Sequence, residues 1–173
     1  PVQLLWLNLV TNGVQDVALG LERAEEGVLK RKPRDPKERI FNVPMISRVV
    51  VGGLYMGISA FVVFYLFLEF GYSEDMARNI TLLLMVLFEN IHVFNSRTEN
   101  QTIFKIDHSK NKFLWLSVIM AQGIHVISMH TPFMQSVLNV QPVDLKIWGV
   151  LLLIAVLLMV VMEVEKVIRA RWS

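Results

Sequence analysis

The 173-residue chain contains no cysteine, which excludes disulfides and thiolate metal sites and leaves the redox compartment unreadable. Charge is scarce as well: Asp, Glu, Lys and Arg together make up 18%, bunched between long apolar runs instead of being spread over exposed faces. The opening residues, "PVQLLWLNLV", have no basic stretch and no initiating Met. They are therefore not a signal peptide, and the chain reads as a piece of a longer polypeptide. No glycine-rich phosphate loop, internal repeat or low-complexity tract occurs, and the sequence points to no Ser/His/Asp constellation outside the apolar runs and no pair of carboxylates in a cleft. The segment by itself is not expected to be an enzyme. The one basic run, "LKRKPRDPKER" at 29–39, lacks interleaved aromatics, so a nucleic-acid partner is not expected either.

What is present is apolar. Hydrophobic residues reach 54% and mean hydropathy is +0.48, which suits a polytopic membrane protein. A bilayer core about 30 Å thick needs roughly 20 apolar residues as a helix. Five segments qualify, at about 2–21, 45–70, 76–95, 113–133 and 146–166. The fold expected is an all-α membrane helix bundle of five transmembrane helices, one domain over 1–173, with loops at 22–44 and 96–112. Pro44 and Gly71 bracket the second span, and Pro132 stops the fourth. Fifteen of the 17 Lys and Arg residues fall on one side of this arrangement, leaving only Arg78 and Lys146 opposite. The positive-inside rule then puts Pro1 outside and Ser173 in the cytoplasm. Trp6, Trp115, Trp148 and Trp172 fall near span ends, as interfacial aromatics do. Gly53 and Gly57, in the second span, have the small-xxx-small spacing that lets helices approach closely.

The first span is the anomaly. On a helical wheel Asn8, Thr11, Asn12, Gln15 and Asp16 fall within an arc of about 140°, so one face of a membrane-depth helix is polar. An isolated Asp at a helix centre costs roughly 2.5 to 3.5 kcal/mol to insert. One reading is packing: Asp16 reaches water or Arg23 at the cytoplasmic end and the amides bond to neighbouring helices. The other is a cation site, because amide carbonyls, a hydroxyl and a carboxylate are the oxygen ligands that Ca²⁺, Na⁺ or K⁺ prefer. One helix cannot surround an ion, and Glu89 in the third span is the natural partner. Glu89 and His92 share a face at i, i+3 spacing, a weak transition-metal signal. Gln122 and His125 form a similar pair, read as interhelical hydrogen bonding, while Glu163 and Glu165 precede Lys166 and Arg169 as local ion pairs.

The residues resemble a known family. "PVQLLWLNLVTNGVQDVALGLE" is similar to the sixth transmembrane helix of P-type cation-transporting ATPases of the Ca²⁺-pump and Na⁺/K⁺-pump class. Arg31, Lys32, Pro33 and Arg34 resemble the basic motif of the connection that follows it, and "LFENIHVFNSRTENQTIF" resembles the eighth helix and its loop, with Asn95, Ser96, Glu99, Asn100 and Gln101. The resemblance implies the carboxy-terminal membrane domain, helices six to ten, of an ATP-driven pump. It implies that Asn8, Thr11, Asn12 and Glu89 are metal ligands for the transported cation, Ca²⁺ or another hard cation. It also implies that ATP and Mg²⁺ act only in cytoplasmic domains absent from this sequence. Partners expected are the remainder of the same pump, helices one to five with the cytoplasmic domains, and the lipid bilayer; the expected location is the plasma membrane. One departure stands out: where the family has an aspartate this chain has Asn12, and a carboxylate, Asp16, lies one turn further along, about 6 Å by helical rise. Two other readings stay open on sequence grounds. One is a self-sufficient small channel or secondary transporter, which would be expected to begin with Met and show paired or inverted halves. The other is a structural membrane subunit in which Asp16 and Glu89 serve only helix packing.

Overall fold

The computed structural model describes residues 2–22, 42–98 and 102–172. The basic run at 29–39, with its Arg31–Arg34 motif, and Arg23, Glu99, Asn100 and Gln101 lie outside the described residues.

Every regular element among the described residues is helical. In chain order they are α1 (Val2–Leu7), a π-helical turn (Asn8–Asn12), α2 (Gly13–Gly20), α3 (Val43–Glu69), α4 (Glu74–Asn95), α5 (Lys112–His130), α6 (Pro132–Leu138) and α7 (Leu145–Trp172), with 3₁₀ turns at Ile103–Lys105 and His108–Lys110. The starts are set by side-chain caps: Asn42 accepts from the Met45 N–H, Ser73 from Met76 and Asn111 from Leu114, each satisfying an otherwise orphaned donor. Pro44 adds a pre-set φ in the first turn of α3. Gly71, at φ +83°, turns the chain from α3 toward α4 in the left-handed region that glycine adopts without strain.

Among the described residues four helices, α3, α4, α5 and α7, are long and apolar enough to cross a membrane. The segment expected as the first span is helical from Val2 to Gly20, but the π turn divides it, so neither α1 nor α2 alone reaches spanning length. The expected span 113–133 ends as a helix at His130, and Pro132 opens α6 as a new short helix.

The organising element is α4. Thirteen of its 22 residues are buried, because it packs against α3, α7, α5 and α1. With α3 and α7 it forms the main core, where Ile80, Leu83, Leu84 and Phe88 meet Leu151, Ala155, Leu158 and Met162. A second cluster joins α1 to α4 through Leu7, Leu82 and Val86, with Met129 from α5. The third joins α2 to α4 and α5 through Ala18, Val93, Phe94 and Leu114.

The glycine expectation needs correcting. A side chain added at Gly53 or Gly57 would meet nothing within 4 Å, so these two do not mediate packing among the described residues. Gly52 does: a Cβ there would lie 3.4 Å from the Met162 sulfur of α7 and 3.8 Å from the His92 ring of α4. The spacing rule found a small-residue stripe but put it one residue, hence about 100°, off the contact face.

The tryptophans divide. Trp115 is exposed and donates its N–H to the His108 carbonyl at 3.1 Å. Trp148 and Trp6 are turned partly inward, packing beside the second cluster.

Candidate functional site

The first helical segment carries two adjacent stripes, one mixed apolar and polar, the other wholly polar. Leu7, Thr11, Gln15 and Ala18, spaced four, four and three apart, are buried against the bundle. Asn8, Asn12 and Asp16, each one position later, form a parallel stripe that is exposed at Asn8 and Asp16 and half-buried at Asn12. The single polar arc expected from sequence is thus split into an inward edge and an open flank.

The inward edge meets α4. Thr11 Oγ1, on a fully buried residue, lies within hydrogen-bonding reach of both the Glu89 carboxylate and the Leu7 carbonyl, the latter at 2.7 Å, and has one proton to give to either. One turn further, Gln15 Nε2 donates to Asn90 Oδ1 at 2.6 Å, and Asn90 Nδ2 donates to Gln122 Oε1 of α5 at 3.0 Å. This amide relay ties three helices together at the level of Glu89. The relay pairs Gln15 with Asn90 and Asn90 with Gln122 where an unpaired amide is expensive, and leaves Gln122 Nε2 buried without a partner among the described residues. On the open flank Asn12 Nδ2 donates to Asn8 Oδ1 at 3.0 Å. Asp16 lies on the same open flank, one turn beyond Asn12.

All five candidate ligands therefore sit on the α1–α2 segment and the facing part of α4. Thr11 and Glu89 are in contact, Asn8 and Asn12 are paired beside them, and Asp16 stands on the same flank one turn on. The π turn covers Asn8 to Asn12, with the Gly13 N–H bonding back to the Asn8 carbonyl. A π turn inserts an extra residue into the helical ladder, and such turns concentrate at functional sites. Here it carries three of the five candidates. The donor chemistry is uniformly hard oxygen: hydroxyl, amide carbonyl and carboxylate.

The Glu89–His92 metal pair does not form. Glu89 turns to Thr11, whereas His92 packs beside Gly52 and Met162 between α3 and α7. No group of three or more His, Cys, Asp or Glu able to hold a metal occurs among the described residues. Gln122 and His125 each bond between helices, as the sequence suggested, but to different partners: His125 Nδ1 accepts from Trp6 Nε1 at 3.2 Å. Glu163 accepts from Lys166 at 2.9 Å, as expected, and also from the backbone N–H of Ile103 at 3.2 Å, which anchors the 3₁₀ turn to α7.

Sequence reasoning missed the clamp that holds α2 in place. Glu22 accepts two bonds from Arg97, at 2.8 and 2.7 Å, and one from Asn111 at 2.8 Å. Arg97 holds the Glu22 carboxyl below its ordinary value, outweighing the opposing effect of burial. The signal that could have found it is weak: an acidic residue just past one span and an arginine just past another.

Comparison with known proteins agrees with this architecture. The family described as "Cation transporting ATPase, C-terminus" matches residues 1–168. A probable calcium-transporting ATPase of Trypanosoma brucei brucei is 30% identical over 166 residues, covering 82% of this chain and 16% of the relative. A calcium-transporting ATPase of Bacillus subtilis (strain 168) is 32% identical over 141 residues, covering 80% and 16%. An endoplasmic reticulum-type calcium-transporting ATPase of Arabidopsis thaliana is 25% identical over 194 residues, covering 96% and 19%. The chain thus spans less than a fifth of the length of these relatives. With membrane-length helices and a match over nearly its whole length, it is an integral membrane protein segment that belongs to the family of cation-transporting ATPase carboxy-terminal regions.

Proposed function

We propose that α1, the π turn and α2, together with α4, form one wall of the cation-binding site of an ATP-driven pump. Asn8, Thr11, Asn12, Asp16 and Glu89 supply oxygen ligands in this reading. The observation that carries it is the Thr11–Glu89 contact at the π turn, which joins two polar residues from separate membrane helices beside an open flank of further oxygen donors. The rest of the site, and the chemistry that consumes ATP with Mg²⁺, belong to the remainder of the same polypeptide. Calcium is the cargo named for the relatives and is the first cation to test. The neutral Asn12 beside Asp16 favours a site whose negative charge sits one turn nearer the basic end. Orientation follows the positive residues, with Ser173 cytoplasmic, and the plasma membrane is the proposed location, read by fractionation of the full-length protein.

The test is ATP turnover by the full-length pump across Ca²⁺, Mg²⁺, Mn²⁺, Na⁺ and K⁺, repeated with Asp16→Asn and Asn12→Asp. A ligand role requires Asp16→Asn to weaken stimulation by the cognate ion and Asn12→Asp to alter ion preference. Unchanged ion dependence in both variants would leave the packing reading in its place.

A further inference from the structure

We propose that Gln15, Asn90 and Gln122 are positioning residues for the cation site: their amide relay sets the spacing between α2 and α4, and with it the size of cation the site prefers. Gln15 and Asn90 are 3% and 4% exposed, and neither is a candidate ligand. Each is the chain neighbour of one, because Asp16 follows Gln15 and Glu89 precedes Asn90. The bond from Gln15 Nε2 to Asn90 Oδ1, 2.6 Å long, therefore joins two backbone positions that each lie one residue from a carboxylate of the site.

The Thr11–Glu89 contact cannot keep that spacing while an ion is bound, because the ion takes its oxygens. A Glu89 oxygen that ligates a cation turns from Thr11, whose one proton then goes to the Leu7 carbonyl 2.7 Å away. The amide relay uses no ligand oxygen and survives that exchange. On the other side of the π turn, Trp6 Nε1 donates to His125 Nδ1 at 3.2 Å. Asn8, Thr11 and Asn12 thus lie between two ties, and both lead to α5: directly to His125, and through Asn90 to Gln122. Gln122 and His125 are three residues apart, on one face of that helix. No candidate ligand lies on α5, so its part is to hold the frame.

The relay is poorly suited to packing alone. Gln122 Nε2 is buried without a partner among the described residues, and a half-satisfied polar network stabilises less than an apolar contact of similar shape. What amides supply and apolar side chains do not is a tie of defined length, because hydrogen bonds hold a narrow range of distances. Hard cations are told apart by cavity size, ligand number and flexibility, so a tie of defined length beside the ligands tunes the choice. The inference rests on the cation-site reading of Thr11 and Glu89 and adds the residues that hold those ligands at their distance.

The experiment is ATP turnover by the full-length pump with Ca²⁺, Sr²⁺, Mn²⁺, Na⁺ and K⁺, reading the ratio of half-maximal concentrations for the two best-bound cations of equal charge and different size. Gln15→Asn shortens the relay by one methylene and should shift that ratio about fivefold in favour of the smaller ion, the worth of one hydrogen bond. Asn90→Gln lengthens it and should shift the ratio about as far in favour of the larger ion. The double variant, Gln15→Asn with Asn90→Gln, restores the summed length and should return the ratio to within about twofold of wild type. Where a single variant fails to fold, Gln122→Asn, which shortens the arm to α5, should shift the ratio by a comparable factor. A merely structural role would lower Tm or maximal turnover and leave the ratio alone. Wild-type ratios in the folded variants, shifts of the same sign in both single variants, or no recovery in the double variant would each overturn the proposal. Glu89→Gln in the same assay keeps the two readings apart. A raised half-maximal concentration there, with unchanged ratios in the relay variants, leaves the cation site standing without this tie; no change there, or a wild type that none of the five cations stimulates, overturns both.

Discussion

Arg97 grips Glu22 through two bonds, Nε to Oε2 at 2.8 Å and Nη2 to Oε1 at 2.7 Å, across 75 positions of sequence. The Arg97 side chain is 1% exposed. Removing its anion leaves a buried, uncompensated charge, a far larger penalty than loss of a surface pair. Glu22→Gln should therefore lower the stability of this end of the bundle by about 3 kcal/mol, read as a lower Tm of the full-length protein in detergent.

The same pair sets a pH dependence. The folded Glu22 carboxyl is held below its ordinary value of 4.5, first by its hydrogen bond to Arg97. The folded state therefore binds fewer protons than the unfolded state between the two values. The stabilisation is fully present above 4.5 and is lost as pH falls through the lower, folded value. A Tm series taken downward from pH 6 should fall more steeply for the wild type than for Glu22→Gln, and parallel curves would contradict the assignment.

Gly52 and Gly53 should respond oppositely to bulk. Leucine at 52 must displace Met162 and the His92 ring, and overpacking of this kind costs about 1 to 3 kcal/mol. Alanine at 52 fits, because 3.4 Å to a flexible methionine sulfur is ordinary contact. A Cβ at 53 meets nothing within 4 Å, so leucine there should shift stability by less than about 0.5 kcal/mol. Thermal melts of the three variants check the order.

Asn90 is the hinge of the amide relay, accepting from Gln15 and donating to Gln122. Asn90→Leu strips both amides of a partner and should cost about 1 to 2 kcal/mol. It should also loosen α2 against α4, visible as faster amide exchange around Gln15.

The long helices were legible because composition and length largely determine them: α3, α4 and α5 begin and end within about three residues of the expected bounds, while α7 runs on to Trp172, past the expected end at 166. Of the boundary chemistry, Pro44, Gly71 and Pro132 were read from the sequence, whereas the caps at Asn42, Ser73 and Asn111 emerged only with the structure. What was not legible depends on which neighbour each face meets. A uniform 100° wheel placed Thr11 and Asp16 on one arc, but the π turn and the position of α4 turned Thr11 inward and left Asp16 outside. The same limit put Gly53 and Gly57 in place of Gly52, and paired His92 with Glu89 although they face different helices. Glu89 itself stood out because a carboxylate at membrane depth demands a partner, but nothing in the sequence said that the partner is Thr11.

The measurement that bears most directly on the ion-site proposal is cation-stimulated ATP turnover by the full-length pump carrying Thr11→Val or Glu89→Gln, with Glu69→Gln, an exposed carboxylate at the end of α3, as the control. Thr11→Val keeps shape and removes the hydroxyl, while Glu89→Gln keeps size and removes the charge. Both should raise the cation concentration for half-maximal turnover by at least about tenfold, the loss of one charged hydrogen bond or ligand, while Glu69→Gln leaves it unchanged. Half-maximal concentrations equal to wild type in both variants, with protein folded and turnover intact, would contradict the assignment of this wall to the cation site.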